Sequence, residues 1–153
     1  MDARTFLSRA GLLELQVQSK LLRLESLKSL ACKVTAVYDA EPVTHSRNPA
    51  QMQDVILRIM EVEEDLNRRI DTLVEMKLSI GLTIDKVQDS LLRLILEKKY
   101  LDFMTLDEIG AEIHYSSRWM RVLHHRALAE VQKVLDEQEG EEDCPESVPA
   151  SSS

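Results

Sequence analysis

Ser117-Arg118-Trp119-Met120-Arg121 is the stretch of this 153-residue chain best equipped for chemistry. The chemistry is hydrogen-bonding recognition of a duplex. Arg118 and Arg121, three residues apart on a helix, project from one side of it. Each guanidinium can donate two hydrogen bonds to guanine O6 and N7, and Ser117 can reach a base or a phosphate. His125 and Arg126 follow one to two turns later, where Arg126 suits contacts to the sugar-phosphate backbone. No acidic residue interrupts the run before Glu130. Trp119 suits a base contact or an anchor against a neighbouring helix. The candidate DNA-binding residues are therefore Ser117, Arg118, Trp119, Arg121, His125 and Arg126.

Other reactive side chains point to less. His124 and His125, with His114 nearby, invite a metal reading. Adjacent residues on a helix point about 100° apart, so two neighbouring histidines do not chelate one ion. Glu61, Glu63, Glu64 and Asp65 sit beside Arg68 and Arg69. At i,i+4 spacing they read as ion pairs on a solvated helix face, Glu64–Arg68 and Asp65–Arg69. Cys32 and Cys144 stand apart and suggest neither a disulfide framework nor a zinc site. With no nucleophile–base pair and no phosphate-cradling glycine loop, the expectation is a protein without metal or cofactor that is not an enzyme.

The elements that must position the arginines are short. Asp89 or Ser90 can cap a helix running from Leu91 to Tyr100, whose leucines and isoleucine make it apolar nearly all round. Thr105-Leu-Asp-Glu108 is a capping box that opens a second helix carrying Leu106, Ile109 and Ile113. Gly110 and Ala111 are small enough to let a following helix cross closely. His114-Tyr115-Ser116 is the turn, and Ser116 caps the third helix. Met120, Leu123, Ala127, Leu128 and Val131 give that helix its buried side. Ser117, Arg118, Trp119, Arg121 and Val122 remain outward, with His124 and His125 further along. A support helix, a tight turn and a basic second helix make a helix-turn-helix.

Upstream, apolar residues recur in steps of three and four from Thr5 to about Tyr38: Phe6, Ala10, Leu13, Val17, Leu21, Leu24, Leu27, Ala31, Val34 and Tyr38. Leu12, Leu15, Leu22 and Leu30 widen this stripe beyond a two-stranded seam. Residues 41–51 break the pattern. A second periodic run carries Met52, Val55, Ile59, Val62, Leu66, Ile70, Leu73, Met76, Ile80, Ile84 and Val87. A short link between two long helices predicts an antiparallel pair. Such a hairpin is marginal alone, so self-association or docking on a partner is expected.

Low Gly and Pro counts, 4% aromatic and 30% charged residues fit a helix-rich chain, and no alternating run suggests strands. The expected class is all-α. Residues 1–87 form the long antiparallel helical hairpin or coiled coil, 88–135 the helix-turn-helix module, and 136–153 an acidic disordered tail. The net charge of −8 is misleading as a whole. Seven acids and no base lie from Asp136 onward, and the rest holds 20 acids against 19 bases. No run nears the ~20 apolar residues of a membrane span, and the start does not read as a signal peptide. A cytoplasmic protein without membrane association fits best.

LRLILEKKYLDFMTLDEIGAEIHYSSRWMRVLHHRAL resembles region 4 of sigma-70-type transcription factors. The matching parts are KKYL, TLDEI, the YS turn and the late HRAL. With the preceding hairpin, the arrangement over roughly Leu7 to Leu135 is similar to a family of small phage and prophage proteins of Gram-positive bacteria. These are described as sigma-70 region-4-like and similar to late transcription regulators of the autolysin-regulator type. The resemblance implies a sequence-specific regulator of phage or prophage genes that binds double-stranded DNA. Its recognition helix would read the major groove through Ser117, Arg118, Arg121 and His125. The hairpin would form a homodimer or dock on RNA polymerase. Sigma region 4 usually has a glycine in the turn, where this chain has His114 and Tyr115. Nothing matches the part of a sigma factor that reads the promoter −10 element. Two alternatives stay open: a small-terminase-like DNA-packaging adaptor, which also joins a helix-turn-helix to a coiled-coil hairpin, and a helical interaction protein that binds no DNA.

Overall fold

The computed structural model describes residues 1–40 and 49–142, and every regular element among them is a helix. The chain is all-α. Its helices are α1 (Ala3–Ala40), α2 (Pro49–Asp85), α3 (Ser90–Leu96), α4 (Leu106–Ile113) and α5 (Ser117–Glu142). A π-helical turn over Glu97–Leu101 follows α3 directly. Most of the expected 41–51 connection lies outside the described residues. So do Cys144, the side chains of Val34 and Tyr38, and everything beyond Glu142. No described helix is long and apolar enough to cross a membrane.

The described chain divides into two compact units. One comprises residues 11–76 of α1 and α2. Lys20 Nζ lies 2.9 Å from Asp65 Oδ2, and Arg69 Nη1 donates to Gln16 Oε1 at 2.8 Å. Position 16 meets 69 and position 20 meets 65, so these stretches run in opposite directions. Val17 and Leu24 on α1, and Leu66 and Leu73 on α2, are buried at a seven-residue interval. That interval keeps one face of each helix on its neighbour. Met52, Val55, Ile59, Val62, Ile70 and Met76 are half-buried beside it, so the whole predicted α2 stripe within this unit faces inward.

The α1 stripe is covered less completely. Leu21 is exposed, and Leu12, Leu15 and Leu22 are 65%, 64% and 66% exposed. Two helices cover only one stripe on each other, so leucines that widen the stripe stay in solvent. The Asp65–Arg69 pair forms at 3.0 Å. Hydrogen bonds from Lys20 and Arg69 hold the Asp65 carboxyl down to about 2. These charges lie near the surface, where such pairs contribute little to stability.

The other unit takes residues 1–10 and the described chain from Lys77 onward. Its core joins Leu7 and Ala10 of α1, Ile80 and Ile84 of α2, Ile95 and Leu96 of α3, Ile109 of α4, and Met120, Ala127 and Val131 of α5. The compact unit is thus wider than a module starting at residue 88. Helices of seven and eight residues are too short to persist alone and need apolar surface from neighbours. The ends of α1 and α2 supply it.

Helix α5 also differs from expectation. Composition placed the start of the acidic tail at Asp136, but the helix continues to Glu142. Val134 and Leu135 are buried. Gln132 accepts from the Ala3 N–H at 2.8 Å and donates to the Met1 carbonyl at 3.2 Å, and Glu139 pairs with the Met1 amine at 3.0 Å. The start of α1 therefore holds this stretch of α5, a contact no local pattern reveals.

Candidate nucleic-acid interface

Helix α5 is aimed by what precedes it. Asp89 caps α3, accepting from the N–H groups of Leu91 and Leu92 at 2.9 and 3.3 Å. Leu92, Ile95 and Leu96 are buried, while Leu94 is 37% exposed, so α3 keeps one solvent edge. The π-helical turn then carries Lys98, Lys99 and Tyr100. Lys98 reaches Glu112 of α4 at 2.6 Å, and that bond raises its pKa above the ordinary lysine value.

Helix α4 opens on the predicted capping box. Thr105 Oγ1 accepts from the Glu108 N–H at 3.2 Å, and Glu108 Oε2 accepts from the Thr105 N–H at 3.1 Å. Such a cap contributes ~1 kcal/mol. His114 ends the helix at φ 63°, ψ 41°, a left-handed conformation that residues with a side chain adopt at a cost. The Tyr115 N–H then donates to the Gly110 carbonyl at 2.9 Å. A Cβ on Gly110 would stand 2.9 Å from both Met120 Cγ and the Tyr115 carbonyl oxygen. Gly110 is thus the small residue that admits α5, whereas Ala111 faces solvent. Ser116 Oγ accepts from the Trp119 N–H at 3.2 Å and caps α5.

All six predicted site residues are exposed: Ser117, Arg118, Trp119, Arg121, His125 and Arg126. At 3.6 residues per turn, Arg118, Arg121 and His125 fall within about 60° of one another around α5. Trp119 and Arg126 fall about 20° apart on the far side of Val122. The Arg126 guanidinium carbon lies 5.5 Å from the centroid of the Trp119 ring. Trp119 is 41% exposed, so it is no anchor buried against α4. The outer surface of the first turns of α5 thus pairs a cationic edge with a stacked cation–aromatic edge.

His124 departs from expectation. It is 8% exposed, and its Nε2 lies 2.7 Å from Tyr100 Oη in a buried hydrogen bond. The two rings stack at 5.9 Å. Burial, with Lys99, Arg4 and His125 adding to it, pushes the His124 pKa down to about 4. Burial pushes the Tyr100 hydroxyl up. Both rings are therefore neutral near pH 7. The signal was present in the sequence: Met120, His124, Ala127 and Val131 form one stripe at helical spacing. Its residue type points outward, but its spacing places His124 on the buried side. Among the described residues no group of three or more His, Cys, Asp or Glu could hold a metal ion.

Residues 42–133 match a family described as a protein of unknown function, DUF1492. The match spans more than half of the chain and runs from before α2 into α5. No curated protein and no solved structure matches the chain at a significant level.

Proposed function

The chain belongs to the DUF1492 family of unknown function, and from its geometry we propose a sequence-specific DNA-binding transcription regulator of the sigma-70 region-4-like type. In this reading α4 and α5 are the two helices of a helix-turn-helix. The first turns of α5 enter the major groove. Arg118 and Arg121 donate to base edges, with Ser117 and His125 beside them, while Trp119 and Arg126 meet the flank of the groove. The one observation that carries the reading is the outer surface of α5. Six exposed polar, cationic or aromatic side chains occupy it, while its opposite side packs into the core and Gly110 sets the crossing with α4.

The paired α1 and α2 serve as a hairpin for self-association or for docking on RNA polymerase. The exposed leucines of α1 support that role, because apolar side chains repeated along one helix favour burial against another surface. The genes served are those of a phage or prophage, as the sequence resemblance implies.

The experiment is selection of bound duplexes from a random pool at near-physiological salt, beside Arg118→Ala/Arg121→Ala. An enriched motif that the double variant loses is the expected result. Losing one bidentate contact weakens discrimination by ~1–3 kcal/mol. If folded, helical protein enriches no motif, the sequence-reading role is wrong.

A further inference from the structure

Arg4 lies on the first turn of α1, Lys99 on the π-helical turn, and Arg121 and His125 on α5. About 95 residues separate the first two, yet all four line one open pocket of about 490 Å³. The buried Tyr100–His124 pair forms part of its wall. No carboxylate lines the pocket. Among the described residues, none of the four is ion-paired.

That arrangement leaves a cluster of like charge with no acidic side chain against it. Three permanent cations converge without a counter-ion in a chain whose net charge is −8. Acidic side chains are abundant elsewhere and pair with other lysines, as Glu112 does with Lys98. The positive field is felt within the wall, since Lys99, Arg4 and His125 all act, after burial, to keep His124 unprotonated. A group bearing several anionic oxygens offsets the repulsion and can accept from more than one donor at once. Two arginines suit a tetrahedral oxyanion through their planar forks, and a lysine suits it as a point charge.

The geometry points to a phosphate-binding site in this pocket, filled by a backbone phosphate of the duplex that α5 reads. Arg121 and His125 belong to both surfaces, so the pocket adjoins the cationic edge of α5. Arg4 and Lys99 would then hold the phosphodiester beside the groove, carry no sequence information, and fix the register of α5. The backbone source rests on the DNA-reading proposal. The phosphate chemistry does not.

The test is Arg4→Gln/Lys99→Gln, which removes both charges but keeps polar side chains and spares every residue assigned to base reading. Duplex affinity is measured against salt for the selected motif and for a random duplex, and helicity is checked. The expected result is a loss of about tenfold on both duplexes with the preferred motif unchanged. The slope of log affinity against log salt becomes shallower by about one phosphate's share, ~0.9. In parallel, inorganic pyrophosphate is titrated into the unaltered protein while the His124 and His125 ring protons are followed by NMR. Saturable shifts are expected, and the double variant should abolish them.

If unaltered protein binds duplex and the double variant matches it in affinity and slope, the backbone assignment is overturned while base reading stands. If unaltered protein binds no duplex, the DNA reading fails. Saturable pyrophosphate shifts then keep the phosphate site and assign it to a small phosphate-bearing ligand. Absence of those shifts overturns the site itself.

Discussion

Tyr100 Oη and His124 Nε2 lie 2.7 Å apart, buried between the π-helical turn and α5. This one bond joins the π-helical turn that follows α3 to the buried side of the helix whose outer surface is the candidate interface. It ties the stability of this packing to the protonation of His124. The His124 pKa falls from an ordinary 6.5 to about 4 in the folded protein. The unfolded chain takes up its proton near 6.5, and the folded protein resists until about 4. The stabilisation is therefore complete above about pH 6.5 and is lost progressively as the pH falls towards 4. Its size is on the order of 2–3 kcal/mol. Denaturant unfolding at pH 7.5 and 4.5 should show that loss in the unaltered protein and less of it in His124→Gln. Equal losses in both proteins would place the acid sensitivity elsewhere.

Tyr100→Phe isolates the hydrogen bond from the ring. The phenyl ring still fills the core, but the His124 nitrogen loses its partner. A buried polar atom left unsatisfied costs ~1–3 kcal/mol. The midpoint of thermal unfolding at pH 7.5 should fall accordingly. An unchanged midpoint would mean that water replaces the phenol.

His114 holds φ 63° with a side chain present. Glycine adopts that conformation without the steric cost. His114→Gly should raise stability by ~0.5–1 kcal/mol, after allowing for the greater freedom of the unfolded chain. A higher denaturant midpoint at unchanged slope is the expected reading. A lower one would show that the imidazole makes a stabilising contact that outweighs the strain.

Gly110→Ala works in the opposite sense. The new Cβ would stand 2.9 Å from Met120 Cγ and from the Tyr115 carbonyl oxygen. The methionine side chain can shift, but the backbone oxygen must move with the turn. A loss of ~1–3 kcal/mol is expected, as for other additions to a tightly packed core. Unfolding that matches the unaltered protein would mean α4 and α5 separate at little cost.

Leu15 and Leu22 are 64% and 66% exposed and lie seven residues apart on α1. Leu15→Gln/Leu22→Gln should leave monomer stability nearly unchanged, because neither side chain is buried. If the face mediates self-association, sedimentation should show an oligomer that the double variant dissociates. A monomer in both cases would remove self-association through this face and leave docking on another protein.

The sequence by itself determined which elements form and where several of them start. Steps of three and four named the inward stripe of α2 almost residue by residue. Capping boxes and single caps depend on neighbours within four residues, so Thr105 and Ser116 were legible without coordinates and the cap of α3 was narrowed to Asp89 or Ser90. The exposed set on α5, His124 excepted, was legible too, because Met120, Leu123 and Ala127 put the apolar side chains on one side of the helix and leave the polar and basic ones on the other.

Tertiary structure decided what depends on distant partners. His124 turned inward because the Tyr100 hydroxyl waits there, and a histidine's placement follows its partner rather than its type. Helix α5 passed the expected acidic boundary because Met1 and Ala3 bond to its side chains. Arg4 and Lys99 joined Arg121 only when three separate segments met around one pocket. Periodicity reports which side of a helix is apolar. It carries no information about which remote residue will cover that side, and the chemistry of the second site arises from that choice.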